Sequence, residues 1–131
     1  MLFRLVIPAC FCAMPLIAQT PLSAEAFDDY TRGKTLFYGN NGVAYGVERY
    51  LDGRRVIWSF LDGDCRDGVW YEQDEQICFI YEDRLEPQCW TFRMGPGGLI
   101  AQFENEPQST QLYEAEDIAE EMMCLGPEVG V

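Results

Sequence analysis

The chain has 131 residues, enough for one domain with a modest core. Its 22 Asp and Glu outweigh 9 Lys and Arg, for a net charge of −13. Such a surface repels nucleic acid and anionic lipid, so nucleic-acid binding and polybasic membrane attachment are set aside; it serves solubility first, with a basic partner as the second reading. The chain contains no histidine, which removes the commonest general base and excludes Ser-His-Asp and Cys-His arrangements.

Met1 to Arg4 is a short, weakly basic start, and Leu5 to Ala18 is an apolar run that contains Pro8 and Pro15. Small residues follow at Ala24 and Ala26. This is the order of a secretory leader, with a cut expected after Ala24 or Ala26. The expected division is therefore a signal peptide over residues 1–26 and a single disulfide-bonded β domain over 27–131. The apolar run falls short of the ~20 residues that span a bilayer, so no stable membrane anchor is expected. Cys10 and Cys12 lie too near the start to serve as a lipid-modified cysteine. Removing residues 1–26 removes one base, Arg4, and one acid, Glu25, so the mature net charge stays at −13. These features place the protein in the periplasm or outside the cell.

Beyond the leader, short aromatic and β-branched runs alternate with turn signals, the pattern of an antiparallel meander. Phe27 to Arg32 is a candidate helical turn. Candidate strands follow over Lys34–Tyr38, Val43–Leu51, Arg54–Leu61, Val69–Glu72, Gln76–Glu82, Gln88–Arg93, Gly98–Phe103 and Thr110–Glu114. Glu116 to Met123 is a candidate short helix. About seven or eight strands with hairpin links predict a mainly β fold. A small up-and-down, lipocalin-like barrel would remove the exposed edges, and a strongly curled sheet is the alternative.

Two hairpins predict a register. A two-residue turn at Asp52-Gly53 pairs Arg49 with Val56 and Val47 with Trp58, and gathers Tyr45, Val47, Leu51, Val56, Trp58 and Phe60 on one face. Glu48, Tyr50, Ile57 and Ser59 then share the other face. A turn centred between Asp83 and Arg84 places Cys78 opposite Cys89 and Ile77 opposite Trp90. Ile77, Phe79, Tyr81, Trp90 and Phe92 then lie on the apolar face.

Four cysteines follow the leader: Cys65, Cys78, Cys89 and Cys124. An even number in a small exported domain reads as two disulfides with three connectivities. The hairpin register favours Cys78–Cys89, and Cys65–Cys124 follows by elimination. Zinc is disfavoured, because there is no histidine and no C-x-x-C pair.

The stretch Leu61 to Trp70, LDGDCRDGVW, raises the question of calcium. From Asp62, an EF-hand-type loop has its acid at Asp64, but Arg66 and Asp67 occupy positions that require an oxygen ligand and glycine. A turn anchored by Cys65 explains the stretch better, and no metal site is expected. Acidic pairs such as Asp74/Glu75 and Glu82/Asp83 fall on turns. No phosphate-binding glycine loop and no nucleophile motif occur, so neither a cofactor nor an enzymatic activity is expected. The aromatic residues of the middle strands suit a small apolar ligand, with Trp58, Trp70, Phe79 and Trp90 as candidate wall residues.

The run from Cys65 to Phe92 carries Gly68-Val69-Trp70, Cys78-Phe79-Ile80-Tyr81 and Cys89-Trp90-Thr91-Phe92. It resembles the centre of small exported proteobacterial proteins that share a Gly-x-Trp, Cys-Phe-x-Tyr and Cys-Trp-x-Phe pattern. The resemblance covers 28 of 131 residues and implies no activity. A looser likeness, in size, barrel and export alone, is to small periplasmic β-barrel inhibitors of secreted metalloproteases. The expected function is thus a non-catalytic module for a small apolar ligand. The alternative is a protein-interaction or inhibitor module acting on an envelope or secreted protein, a basic one by charge.

Overall fold

The computed structural model describes residues 8–10, 12, 20–108, 110–115, 122 and 124. The leader expected over residues 1–26 and the helix expected over Glu116–Met123 therefore lie largely outside the described residues. No described helix is long and apolar enough to cross a membrane.

Eight antiparallel strands form a closed barrel: β1 Thr35–Asn40, β2 Val43–Tyr50, β3 Arg55–Ser59, β4 Cys65–Gln73, β5 Gln76–Tyr81, β6 Arg84–Gly95, β7 Gly98–Phe103 and β8 Gln111–Glu114. Each strand pairs with the next in sequence, and β8 returns to β1 through Tyr38–Glu114 and Gly39–Tyr113. The up-and-down barrel expected from the hairpin pattern is thus the fold, and closure leaves no edge strand.

One helix, α1 (Ala24–Thr31), precedes the barrel. The Ser23 hydroxyl caps it by accepting from the Ala26 amide at 3.1 Å. Its apolar side delivers Phe27 into the barrel, where the ring is fully buried. Phe27 meets rings from four strands: Tyr50 at 5.7 Å, Trp70 at 5.1 Å, Phe79 at 6.4 Å and Phe92 at 4.5 Å between centroids. The helix therefore plugs one end of the barrel. The folded unit also takes in residues upstream of the expected boundary. The Leu22 amide donates to the Phe92 carbonyl at 2.7 Å, and the Ala24 amide to the Glu72 carboxylate at 3.1 Å. The helix starts three residues before the expected Phe27 because Ser23 supplies a cap that the apolar pattern alone does not reveal.

Both expected disulfides are present, Cys78–Cys89 and Cys65–Cys124. The first joins residues directly opposite each other in β5 and β6, with Cα atoms 4.0 Å apart. The pairing is as expected, but the chain reaches it differently. The turn is shorter, pairing Tyr81 with Arg84, and a register shift follows before Gln88 meets Phe79. Pro87 lies in this irregular stretch, where its missing N–H costs the ladder nothing. The irregularity restores the register that a symmetric turn would have given.

The β2–β3 register differs from expectation. Tyr50 pairs with Val56, Arg49 with Ile57, Glu48 with Trp58 and Val47 with Ser59. The turn is a 3-10 element over Asp52–Arg54, and Arg54 as well as Gly53 adopts positive φ (58° and 72°). The longer turn slips the pairing by one residue, which exchanges the two faces of β2. Glu48 and Tyr50, expected outside, face inward with Val56 and Trp58. The expected inward position of Val47 is likewise reversed, although Val47 remains buried.

Candidate functional site

The interior divides at mid-height. Below lies the ring cluster around Phe27. Above it, toward the end that carries the β1–β2, β3–β4 and β5–β6 turns, lies a cavity of about 200 Å³. An apolar cavity of about 150 Å³ is known to hold benzene, so this one has room for a single-ring molecule.

Its walls are aromatic. Trp58 from β3, Phe79 from β5 and Trp90 from β6 line it, as expected for three of the four candidate wall residues. Trp70 does not. It lies in the plugged half, edge-on to Phe27 and beneath the Arg54 guanidinium, which sits 4.5 Å from its ring centroid. Trp70 precedes β5 on a strand that runs toward the plugged end, so chain direction rather than residue type excludes it from the cavity.

Tyr45 also reaches the cavity, and its route is a β-bulge. Tyr38 pairs with Gly46 and Gly39 with Ala44, which leaves Tyr45 as the extra residue of β2. Two glycines create the space that the rings fill. A Cβ on Gly46 would lie 2.3 Å from the Trp58 indole, and one on Gly68 would lie 2.7 Å from the Tyr81 ring. Each ring lies across the bare backbone of its neighbouring strand.

At the floor of the cavity is a polar cluster that sequence reasoning did not find. Glu48 is 2 % exposed, and its Oε1 accepts a hydrogen bond from the Tyr81 hydroxyl at 2.8 Å. Its Oε2 is buried and has no hydrogen-bond partner among the described residues. Beside it, the hydroxyls of Tyr38 and Tyr50 share a hydrogen bond of 2.7 Å. Burial pushes the Glu48 carboxyl up to about 8, against a smaller opposing effect of the Tyr81 hydrogen bond, so it is chiefly a neutral acid at pH 7. Burial also raises Tyr50 and Tyr81 well above the usual phenol range, and the nearby Glu48 charge adds to the rise. The signal for this cluster lay in the V-E-R-Y run of β2: a one-residue slip of the turn places its Glu and Tyr inside together.

The rim is charged. Arg66 pairs through Nε with the Asp83 carboxylate, and its guanidinium lies 5.1 Å from the Phe60 ring centroid. The Arg66 Nη1 is buried and has no hydrogen-bond partner among the described residues. Arg84 also lines the opening.

The DGDCRDG stretch resolves as a short turn followed by strand. Asp62 Oδ1 accepts from the Asp64 amide at 3.0 Å, the Asx turn that an Asp-Gly pair favours. Strand β4 begins at Cys65, opposite Ser59, so Cys65–Gly68 are ladder residues and not loop. Arg66 faces Trp58 and reaches the rim for that reason. Among the described residues, no group of three or more His, Cys, Asp or Glu side chains could hold a metal ion.

Compared with known proteins, the chain matches no family model, no curated protein and no solved structure.

Proposed function

We propose that this protein is an exported, non-catalytic binding module whose barrel receives a small, largely apolar ligand. The observation that carries this reading is the cavity itself: about 200 Å³ of space, ring-lined, beside the half of the same barrel where Phe27 packs on four rings. Ligand sites combine mostly apolar walls with a few placed polar groups. Here the placed groups are the Glu48 carboxyl at the floor and Arg66 at the rim, each with a buried atom that has no partner among the described residues. The other acid on the cavity lining, Asp83, is engaged with Arg66 at the opening, which favours binding over two-carboxylate chemistry. Two disulfides and an N-terminal stretch with the order of a secretory leader support export to the periplasm or medium.

Native mass spectrometry of the protein isolated from its own compartment tests this reading. A discrete added mass that is lost on denaturation supports it. A bare mass, together with no saturable quenching of tryptophan fluorescence by single-ring compounds, overturns it.

A second reading has its own observation. On the outside of the barrel, Val69 and Leu85 are 47 % and 83 % exposed, and they border a shallow groove with Ile57 and Ile80. With the net charge of −13, this face favours a protein-interaction or inhibitor role toward a basic envelope or secreted protein. Salt-sensitive capture of such a protein, lost on Leu85→Glu, would favour this second reading.

A further inference from the structure

We infer that the cavity selects an organic cation, a small amine with an apolar body, whose ammonium group is received by Glu48 and the surrounding ring faces. This inference rests on the ligand-binding reading above and specifies the class of ligand.

Three observations converge on it. The first is Glu48 Oε2, buried at the cavity floor without a partner among the described residues, and an acceptor once the carboxyl gives up its proton. A buried carboxylate oxygen left unpaired is costly, and a ligand donor removes that cost. The second is the wall. Trp58, Tyr45 and Phe79 line the space with aromatic rings, the side chains that attract a cation where water is excluded. The third is the net charge of −13, which concentrates cations around the molecule and disfavours anions. Arg66 and Arg84 at the opening do not reverse this: Arg66 is paired with Asp83 through Nε, and its unpartnered Nη1 is not hydrogen-bonded to Glu48.

The choice of cation over neutral donor follows from the residue. A glutamine would meet a neutral donor equally well without titrating. A carboxyl gains from ionising only when a positive charge arrives. The groups that face Glu48 leave it free to respond. Tyr81 of β5 donates to Oε1, Tyr38 of β1 and Tyr50 of β2 engage each other, and Glu114 of β8 is held by Tyr30 and the Leu99 amide. Arg66 and Asp83 form the rim pair, and Arg84 lines the opening. Binding then proceeds with a balanced proton: neutral Glu48 releases its proton to solvent, the ammonium keeps its own, and the pair forms in the cavity.

The test uses the oxidised, full-length protein with three matched single-ring probes: phenethylamine, 2-phenylethanol and acetophenone. Calorimetry is run at pH 6 and pH 8.5. Phenethylamine is expected to bind about tenfold more tightly than the alcohol at pH 8.5, with the preference shrinking at pH 6. Near pH 7 its binding should release up to one proton, read from the heats in two buffers of different ionisation enthalpy. Glu48→Gln should abolish both the preference and the release. If that variant does not fold, the proton release of the unaltered chain decides. Equal affinities for the three probes, or exclusion of the amine, would overturn the cation assignment and leave the ligand-binding reading standing. No binding of any probe would overturn both.

Discussion

At the helix end of the barrel, Phe27 is gripped by rings from four strands. At the turn end, Tyr45, Trp58 and Trp90 line a cavity, and Phe79 sits on the boundary, lining the cavity while touching Phe27. The two halves draw on the same residue types, so composition does not decide which is core and which is site. What differs is the element that enters. Helix α1 supplies a side chain to the lower half. Nothing among the described residues supplies one to the upper half, and its floor carries a carboxyl with an unpartnered oxygen.

The largest way to break this contrast is Phe27→Ala. Removing a ring in contact with four others should cost about 3–5 kcal/mol, read as a lowered chemical-denaturation midpoint. A change at the boundary, Phe79→Leu, should cost less and should alter ligand affinity as well. If Phe27→Ala proves neutral, the lower half is not the stabilising core described here.

Next in size is the pH dependence that Glu48 imposes. Its carboxyl is raised from the usual 4.5 to about 8 in the folded state, so the native protein binds more protons than the unfolded chain between those values. The stabilising effect of the neutral form is fully present below about pH 4.5 and is lost as pH rises toward 8. The loss should be on the order of 4 kcal/mol by pH 8. Glu48→Gln should flatten this part of the stability profile. A bound amine should also flatten it, by pairing with the ionised form, and a neutral ligand should not.

Fluorescence separates the halves by their tryptophans. Trp58 and Trp90 line the cavity, whereas Trp70 packs on Phe27. A ligand in the upper half should quench a Trp70→Phe variant about as strongly as the unaltered protein. It should quench a Trp58→Phe variant with a clearly smaller amplitude. The reverse order would place the ligand at the plugged end.

Much of this architecture is legible in the sequence, because turns and alternation specify a meander. The β5–β6 hairpin was readable through its cysteines, whose opposition survives an irregularity near Pro87. The floor of the site was not readable, for a physical reason. Placing Glu48 inside depends on Arg54 taking a left-handed conformation beside Gly53, which no propensity favours for arginine. One residue in the turn exchanges the faces of β2, and with them the inward Glu and Tyr. Tyr45 was placed on the apolar face by a register that does not form; it reaches the cavity through the bulge between Gly46 and Ala44. Trp70 belongs to the same cluster of aromatic residues in the middle strands as Trp58, Phe79 and Trp90, and clustering in sequence carries no information on height along the barrel axis.

The smallest expected effect concerns how the plug is held. Ser23 caps α1, and Leu22 ties the chain to Phe92 just before it. Ser23→Ala should cost about 1 kcal/mol, the usual worth of such a cap. Phe27 should keep its place, so ligand affinity in the upper half should be unchanged. Purified chains starting at Leu22 and at Phe27 sharpen the point. A start at Phe27 removes the cap, the Leu22 bond and the first turn of the helix, and should destabilise the protein by more than Ser23→Ala does. Equal denaturation midpoints for the two chains would mean that the rings of the barrel hold Phe27 without the helix. The plug would then be a single side chain, and the cap incidental to the closed end.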